Sequence, residues 1–457
     1  MDLILVNPAS QRNGSLNEHL GIMSLSSFIR SRGFTVSVMD MAIEALKVSV
    51  AAKQICQKKP AVLGISMLDA TKEKGFALIA EVRRSGYKGK IVLGGYFPTF
   101  SAADILHDFP QVDYIVRGEG ELTLYDLLEK LLKKNDKKLS EIAGLSYRES
   151  GQVFENPPRP LIADLDILPP VDRTYVRALL REGRPLRVFA TRGCWGGCTF
   201  CDIVALYGSS PGKQWRRRSV SALIDELMQL VETYDTREFI FNDDQFLVKG
   251  KKALEYVEDF AAELEERRLD IRFDLMCRAD TVSVPVMQRL KSVGLRRVFL
   301  GLESFDQRQL LRYNKGISVR QNLRALRILQ RLEIDVIASV ILADAYTTLY
   351  DLLKQFAVLF RLTRRYFNSR RCQISINKKL EVYRGGAVYQ IYKQAGLLTR
   401  DDYLKGYDFK LKPLTAFRLN LLKLEEKIGR FVLLLKEILF DSPRFTLQKN
   451  ELIKPGM

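Results

Sequence analysis

The stretch LRVFATRGCWGGCTFC (186–201) decides how the chain is read. It opens with LRVFA, a run of strand composition, and the loop that follows places Cys194, Cys198 and Cys201 in a CxxxCxxC spacing. Gly193, Gly196 and Gly197 allow this loop to fold back around a compact inorganic group. Thiolates are the ligands of iron–sulfur clusters, which usually take four, so one iron is left without a cysteine from the loop. A zinc site completed elsewhere is the rival reading. The available histidines are His19 and His107, both far upstream, and Cys56, Cys277 and Cys372 are scattered, whereas zinc favours paired CxxC knuckles.

Downstream of 186, strand-like runs at 186–190, 238–242, 271–275, 296–300, 334–342 and 372–376 alternate with helical patterns at about 219–234, 251–268, 283–294, 319–332 and 348–361. These make six βα-like units where a closed barrel has eight, so residues 186–400 are expected to form a partial (β/α)6 TIM barrel. Its active site belongs at the C-terminal rim of the strands.

Upstream, residues 1–150 also alternate, with strands expected at 3–8, 35–40, 61–66, 90–95 and 113–118 and helices such as 20–32, 71–86 and 121–134. This pattern predicts an α/β, doubly wound, Rossmann-like domain whose ligand lies beyond the carboxyl ends of the strands. Those ends carry Asn7-Pro8, Ser66, Gly94-Gly95 and Gly118-Glu119-Gly120-Glu121. Glycines there either turn the chain after a buried strand or let backbone approach a large flat ligand. No GxGxxG follows the first strand, which disfavours an ordinary dinucleotide site. Pro157, Pro158, Pro160, Pro169 and Pro170 mark 151–185 as a linker. Residues 401–457 read as a helical C-terminal segment, with the apolar stripe of 419–440 expected to pack on the barrel.

The chain's 457 residues suit two or three domains. Lys plus Arg number 72 against 54 Asp plus Glu, a net charge of +18 that favours anionic ligands without choosing one. The excess lies in short clusters, Arg216-Arg217-Arg218, Arg364-Arg365 and Arg370-Arg371, without the signatures of a dedicated nucleic-acid module. These clusters read as a solvated face or a wall for an anionic substrate, with Trp215 beside them either walling the site or packing. No apolar run reaches membrane-spanning length and the amino terminus lacks a targeting pattern, so a cytoplasmic location is expected.

The cysteine loop after a first barrel strand resembles the signature of the radical S-adenosylmethionine superfamily. That resemblance implies that Cys194, Cys198 and Cys201 hold a 4Fe-4S cluster. It also implies that the amino and carboxylate groups of S-adenosylmethionine chelate the open iron, and that an electron from a flavodoxin- or ferredoxin-type donor releases a 5′-deoxyadenosyl radical. FNDDQF (241–246), RAD (278–280) and FLGLESFDQRQLLRYNKG (299–316) are similar to the second, third and fourth strand ends of that family. By residue matching, Asp243, Asp244, Arg278, Glu303 and Ser304 would hold S-adenosylmethionine or substrate. Many relatives have a glycine–proline turn after the fifth strand; VILADAYTTLYDL (340–352) instead fits a variant carrying Asp344, Thr347 and Thr348.

VLGGYFPTF (92–100) and VDYIVRGEGE (112–121) resemble the cobalamin-binding domain joined to many such enzymes. The resemblance implies cobalamin as a second cofactor, lined by Ser66, Gly94, Gly95, Gly118, Glu119 and Gly120. The chain lacks a DxHxxG motif, so a histidine replacing cobalamin's own base is not expected, and Phe97 stands where relatives often have His. The expected activity is methylation of an unactivated carbon of a small metabolite or natural-product intermediate. Radical ring contraction, cyclisation or oxidation with the same cofactors is the alternative, and a cobalamin or redox sensor bound to nucleic acid is the non-enzymatic one.

Overall fold

The computed structural model describes residues 1–8, 17–133, 135–366 and 371–416. The first domain is a seven-stranded sheet in the order β2-β1-β3-β4-β5-β6-β7. Strands β1 (Leu3–Asn7), β2 (Val36–Asp40), β3 (Val62–Ser66), β4 (Lys90–Gly94) and β5 (Tyr114–Val116) are parallel. Their near-continuous apolar runs are buried on both faces, as helices covering a parallel sheet require. Because β1 lies between β2 and β3, the chain leaves it in opposite directions, and a crevice opens at the carboxyl ends of β1 and β3.

The sheet extends past the expected boundary at 150. Strands β6 (Leu145–Glu149) and β7 (Gln152–Glu155) pair antiparallel through a two-residue turn, Ser150-Gly151, in which both φ angles are positive (48° and 78°). The proposed boundary falls inside that hairpin, whose tight turn looked like a loop in the sequence. The linker is also not a free tether. Ile162, Leu165, Leu168, Val171 and Tyr175 enter the core of the first domain, and a short helix, Val176–Arg181, forms once the prolines have passed.

Six parallel strands, Leu186–Val188, Glu238–Phe241, Arg272–Arg278, Leu295–Glu303, Asp335–Ile341 and Cys372–Asn377, follow one another in chain order and form the open barrel. Alternation along each strand sends one set of side chains to the helices and the other into the lumen. Leu186, Val188, Phe239, Phe241, Phe273, Leu275, Val298 and Leu300 make up the helix-side core.

The expected C-terminal helix beginning at 401 is replaced by a hairpin, Leu398–Asp402 with Gly406–Phe409, preceded by helix Ala387–Gln394. This hairpin reaches the first domain. Tyr403 stacks on Phe97 at 6.2 Å, its hydroxyl donates to Asp108 at 2.6 Å, and its carbonyl accepts from Lys72 at 2.8 Å. The stripe at 419–440 lies outside the described residues. Among the described residues no helix is long and apolar enough to cross a membrane.

Candidate active site between the two domains

The cysteine loop is framed by a small antiparallel ribbon, Thr191–Arg192 against Arg216–Arg217. Gly193 takes φ +82°, and a Cβ there would lie 1.9 Å from the carbonyl oxygen of Gln214, so the loop passes its neighbour where no side chain fits. Each following residue is held. The Gly196 amide donates to Cys194 Sγ at 3.3 Å, Asn314 donates to the Gly197 carbonyl at 2.8 Å, and the Trp195 indole donates to the Leu247 carbonyl at 3.0 Å. All three cysteines are free thiols. Burial pushes the Cys194 and Cys201 thiols above their ordinary range, which makes them poor free nucleophiles and leaves their ionisation to a bound cation. Three thiols on a backbone-fixed loop, Cys198 buried and Cys194 and Cys201 partly buried, fit the ligand set of a cluster.

Arg278 belongs to this loop more than to an open binding surface. Its guanidinium donates to Cys198 Sγ at 3.4 Å and to Asp280 at 3.1 Å, reaches the Lys315 carbonyl, and stacks over Trp195 at 4.8 Å. Asp243 Oδ1 accepts from the Ala190 amide at 2.9 Å, from the Thr191 amide and from the Thr191 hydroxyl at 2.8 Å, while its Oδ2 is buried without a partner. Burial raises Asp243 to about 7. Asp244 accepts from the Gly193 amide at 3.1 Å, and burial raises it to about 6. Glu303 takes a left-handed φ of +61° and pairs with the buried Lys315 at 2.9 Å. Ser304 is buried behind the strand, hydrogen-bonded to Gln309 and Gln355, and does not line the cavity. Asp344 pairs with Arg312 at 2.9 Å and accepts from Thr347 at 2.9 Å, whereas Thr348 is bonded to Asp351 at the start of the next helix.

Facing the barrel across a cavity of about 490 Å³ are the strand ends of the first domain. Ser66, Gly94, Gly95, Gly118, Glu119 and Gly120 line it together with Asp243 and Asp244 from the barrel. Gly95 has φ +94°, and a Cβ there would sit 2.7 Å from the Met67 carbonyl oxygen. This cradle is made of backbone, as a broad ring ligand requires. Glu119 is less available than its neighbours, because Arg216 donates to it at 2.9 Å and the Ile162 amide at 2.8 Å. With Arg192 bonded to Glu121 at 2.6 Å, the RGEGE segment fastens the two domains together. Arg218 is likewise buried against Glu226, so two of the three arginines at 216–218 are internal ion pairs. Arg370 lies outside the described residues, and Arg371 pairs with Glu333 at 3.5 Å. Trp215 packs near the loop with its indole donating to the Gln245 carbonyl at 2.7 Å, and it does not line the cavity.

Phe97 stands in the sequence where relatives often have His. The structure buries Phe97 against Phe76 and Tyr403 and turns Tyr96 into the cavity instead. His19, which the sequence presents only as a histidine too remote to complete a zinc site, also lines it. Its Nδ1 accepts from the Ile22 amide at 3.3 Å at the start of helix Leu20–Ser31, and Nε2 lies 3.2 Å from Ser66 Oγ. Burial lowers its pKa, so the ring is neutral and carries its proton on Nε2 toward Ser66. Its position just ahead of a helix was the available signal.

A doubly wound domain with a glycine-lined crevice, closed by a partial barrel bearing three loop thiols, defines a two-cofactor α/β enzyme. Comparison with known proteins agrees. The B12 binding domain family matches residues 14–128 and the Radical SAM superfamily matches 188–348. The chain is 31% identical over 350 residues to an uncharacterized methyltransferase of Pyrococcus horikoshii, covering 75% of this chain and 74% of that one. It is 27% identical to the anaerobic magnesium-protoporphyrin IX monomethyl ester cyclase of Synechocystis sp., covering 72% of this chain and 66% of the cyclase. In fold it is similar to the cobalamin-dependent S-adenosylmethionine radical enzyme OxsB, with a TM-score of 0.73 at 22% identity over 90% of this chain and 64% of OxsB. It is also similar to the radical S-adenosylmethionine methyltransferase TsrM of Kitasatospora setae, with a TM-score of 0.71 at 15% identity over 88% and 79%. The chain belongs to the cobalamin-dependent radical S-adenosylmethionine enzymes. Its cofactors are cobalamin, a 4Fe-4S cluster and S-adenosylmethionine.

Proposed function

We propose that this enzyme methylates an unactivated carbon of a small metabolite or natural-product intermediate. The observation that carries the reading is one cavity walled on one side by the glycine-lined strand ends and on the other by the barrel lumen and Asp243-Asp244. In that arrangement the bound cofactors supply a 5′-deoxyadenosyl radical and a methyl group, the hard chemistry that side chains lack. The chain's own residues position and exclude. Cys194, Cys198 and Cys201 hold the cluster, Asp244 fixes the loop through the Gly193 amide, and the Arg192 and Arg216 ion pairs close the domains against water. The electron donor we expect is a low-potential flavodoxin or ferredoxin in the cytoplasm.

Relatives named as methyltransferases and a hopanoid C-3 methylase of Methylococcus capsulatus support methylation, while those named as cyclases keep rearrangement as the second reading. The nucleic-acid sensor loses its footing because Arg216 and Arg218 are buried in ion pairs. Anaerobic turnover with methyl-labelled S-adenosylmethionine separates the readings. Methylation gives 5′-deoxyadenosine and labelled product; product without label rejects it in favour of rearrangement.

A further inference from the structure

Two arginines line the cavity, Arg187 and Arg192. Arg192 is satisfied by Glu121 and Glu119. Arg187 is not matched in this way. Strand alternation sends its neighbours Leu186 and Val188 to the helix-side core and Arg187 into the lumen, where it is 5% exposed. One terminal nitrogen donates to Asn242 Oδ1 at 2.9 Å, and Nε is buried without a partner among the described residues. Glu18 is near enough to favour its charge, but Glu18 is itself paired with Arg173 at 2.8 Å. No carboxylate among the described residues forms an ion pair with Arg187. The other buried arginines, Arg216, Arg218 and Arg278, each have one, Glu119, Glu226 and Asp280.

Burial without a counter-charge is unfavourable for a guanidinium and is retained where a ligand completes it. Burial lowers Arg187 to about 10, which still leaves it charged at neutral pH. The same cavity is lined by the apolar Phe189, Ile240, Met276 and Phe299 as well as by the polar Asn242, Asp243 and Asp244.

We infer that Arg187 is the anion-binding residue of the substrate site, and that the substrate has an apolar body carrying a carboxylate or phosphate. This rests on reading the cavity as the place where substrate meets both cofactors. Guanidinium forks recognise such planar or tetrahedral anions through paired hydrogen bonds, and Arg187 has donors to spare. The same chemistry could come from the phosphate in the nucleotide tail of cobalamin, so the test separates the two sources.

Decanoate and decanol are titrated calorimetrically into anaerobic holoenzyme. The wild type should bind decanoate about tenfold or more tightly than decanol, as a charge-assisted pair implies, and Arg187→Gln should bind them alike. No preference in the wild type, or a preference that survives Arg187→Gln, overturns the inference. Cobalamin and cobinamide affinities should be unchanged by Arg187→Gln; selective loss of cobalamin binding assigns the anion to the cofactor and overturns the substrate assignment. Arg187→Met should hold or raise Tm, because it removes an unpaired buried charge, whereas a marked fall makes Arg187 structural and overturns the inference. Cleavage of S-adenosylmethionine in the same preparations reports separately on the proposed function.

Discussion

The cysteine loop and the strand ends of the first domain, of which the strand ends line the cavity and the three thiols do not, are built by opposite means. At the loop, side chains do the holding: three thiols, with Arg278, Trp195 and Asn314 fixing the backbone between them. At the strand ends the cradle is largely backbone, and the carboxylates there, Glu119 and Glu121, are turned to Arg216 and Arg192. A cluster needs directed donors at fixed points, whereas a broad ring needs a smooth surface that backbone can provide. Damage to the loop should therefore act through single atoms, and damage to the strand ends through added bulk.

The largest effect should follow Cys198→Ala, which removes one of three loop thiols. No 5′-deoxyadenosine above background is expected by chromatography, and cleavage near the wild-type rate would break the contrast. Next is Glu119→Ala, which leaves the Arg216 guanidinium buried without its carboxylate. A loss of about 3–5 kcal/mol is expected from such a half-broken pair, read as a fall in Tm by calorimetry. An unchanged Tm would return Glu119 to the cofactor-binding set.

Gly95→Ala sharpens the other side of the comparison. Gly95, at φ +94° and ψ −175°, occupies a region essentially confined to glycine, where another residue costs about 1–3 kcal/mol, and an alanine Cβ would press on the Met67 carbonyl, so the cobalamin dissociation constant should rise about tenfold while iron content is unchanged. The smallest effect concerns pH. Asp243 is raised from its ordinary value to about 7, so the folded protein keeps a proton that the unfolded chain has released. Its contribution to stability is complete at pH below about 4 and is lost as pH rises toward 7. Tm should fall across that window, and Asp243→Asn, which keeps the Oδ1 acceptor, should flatten that decline.

These two regions also differ in how much of them the sequence reveals. The cysteines are read directly because a local spacing is the site. Barrel strands are recognised by their apolar runs but underestimated where polar lumen residues end the run: 271–275 extends through Arg278, and 296–300 through Glu303. The hairpin at 398–409 stands where the sequence suggests the start, at 401, of a helical segment, because its Lys, Asp and Tyr residues form no clear alternation. Glu119 was assigned to cobalamin since its partner Arg216 is 97 residues away, a pairing no local pattern discloses. Nothing local in the sequence tells that Tyr96 rather than the adjacent Phe97 lines the crevice. Arg187 looked like an ordinary strand residue, since its lack of a counter-charge appears only when the lumen is assembled.

The most direct test of two cofactors held at two separate places, the cysteine loop and the strand ends of the first domain, is the iron, sulfide and cobalt content of anaerobically reconstituted protein. The wild type should carry about four iron, about four sulfide and one cobalamin per chain. A variant with Cys194, Cys198 and Cys201 all changed to alanine should lose the iron and sulfide and keep the cobalamin. Full iron in that variant, or loss of both cofactors together from a folded protein, would contradict the account.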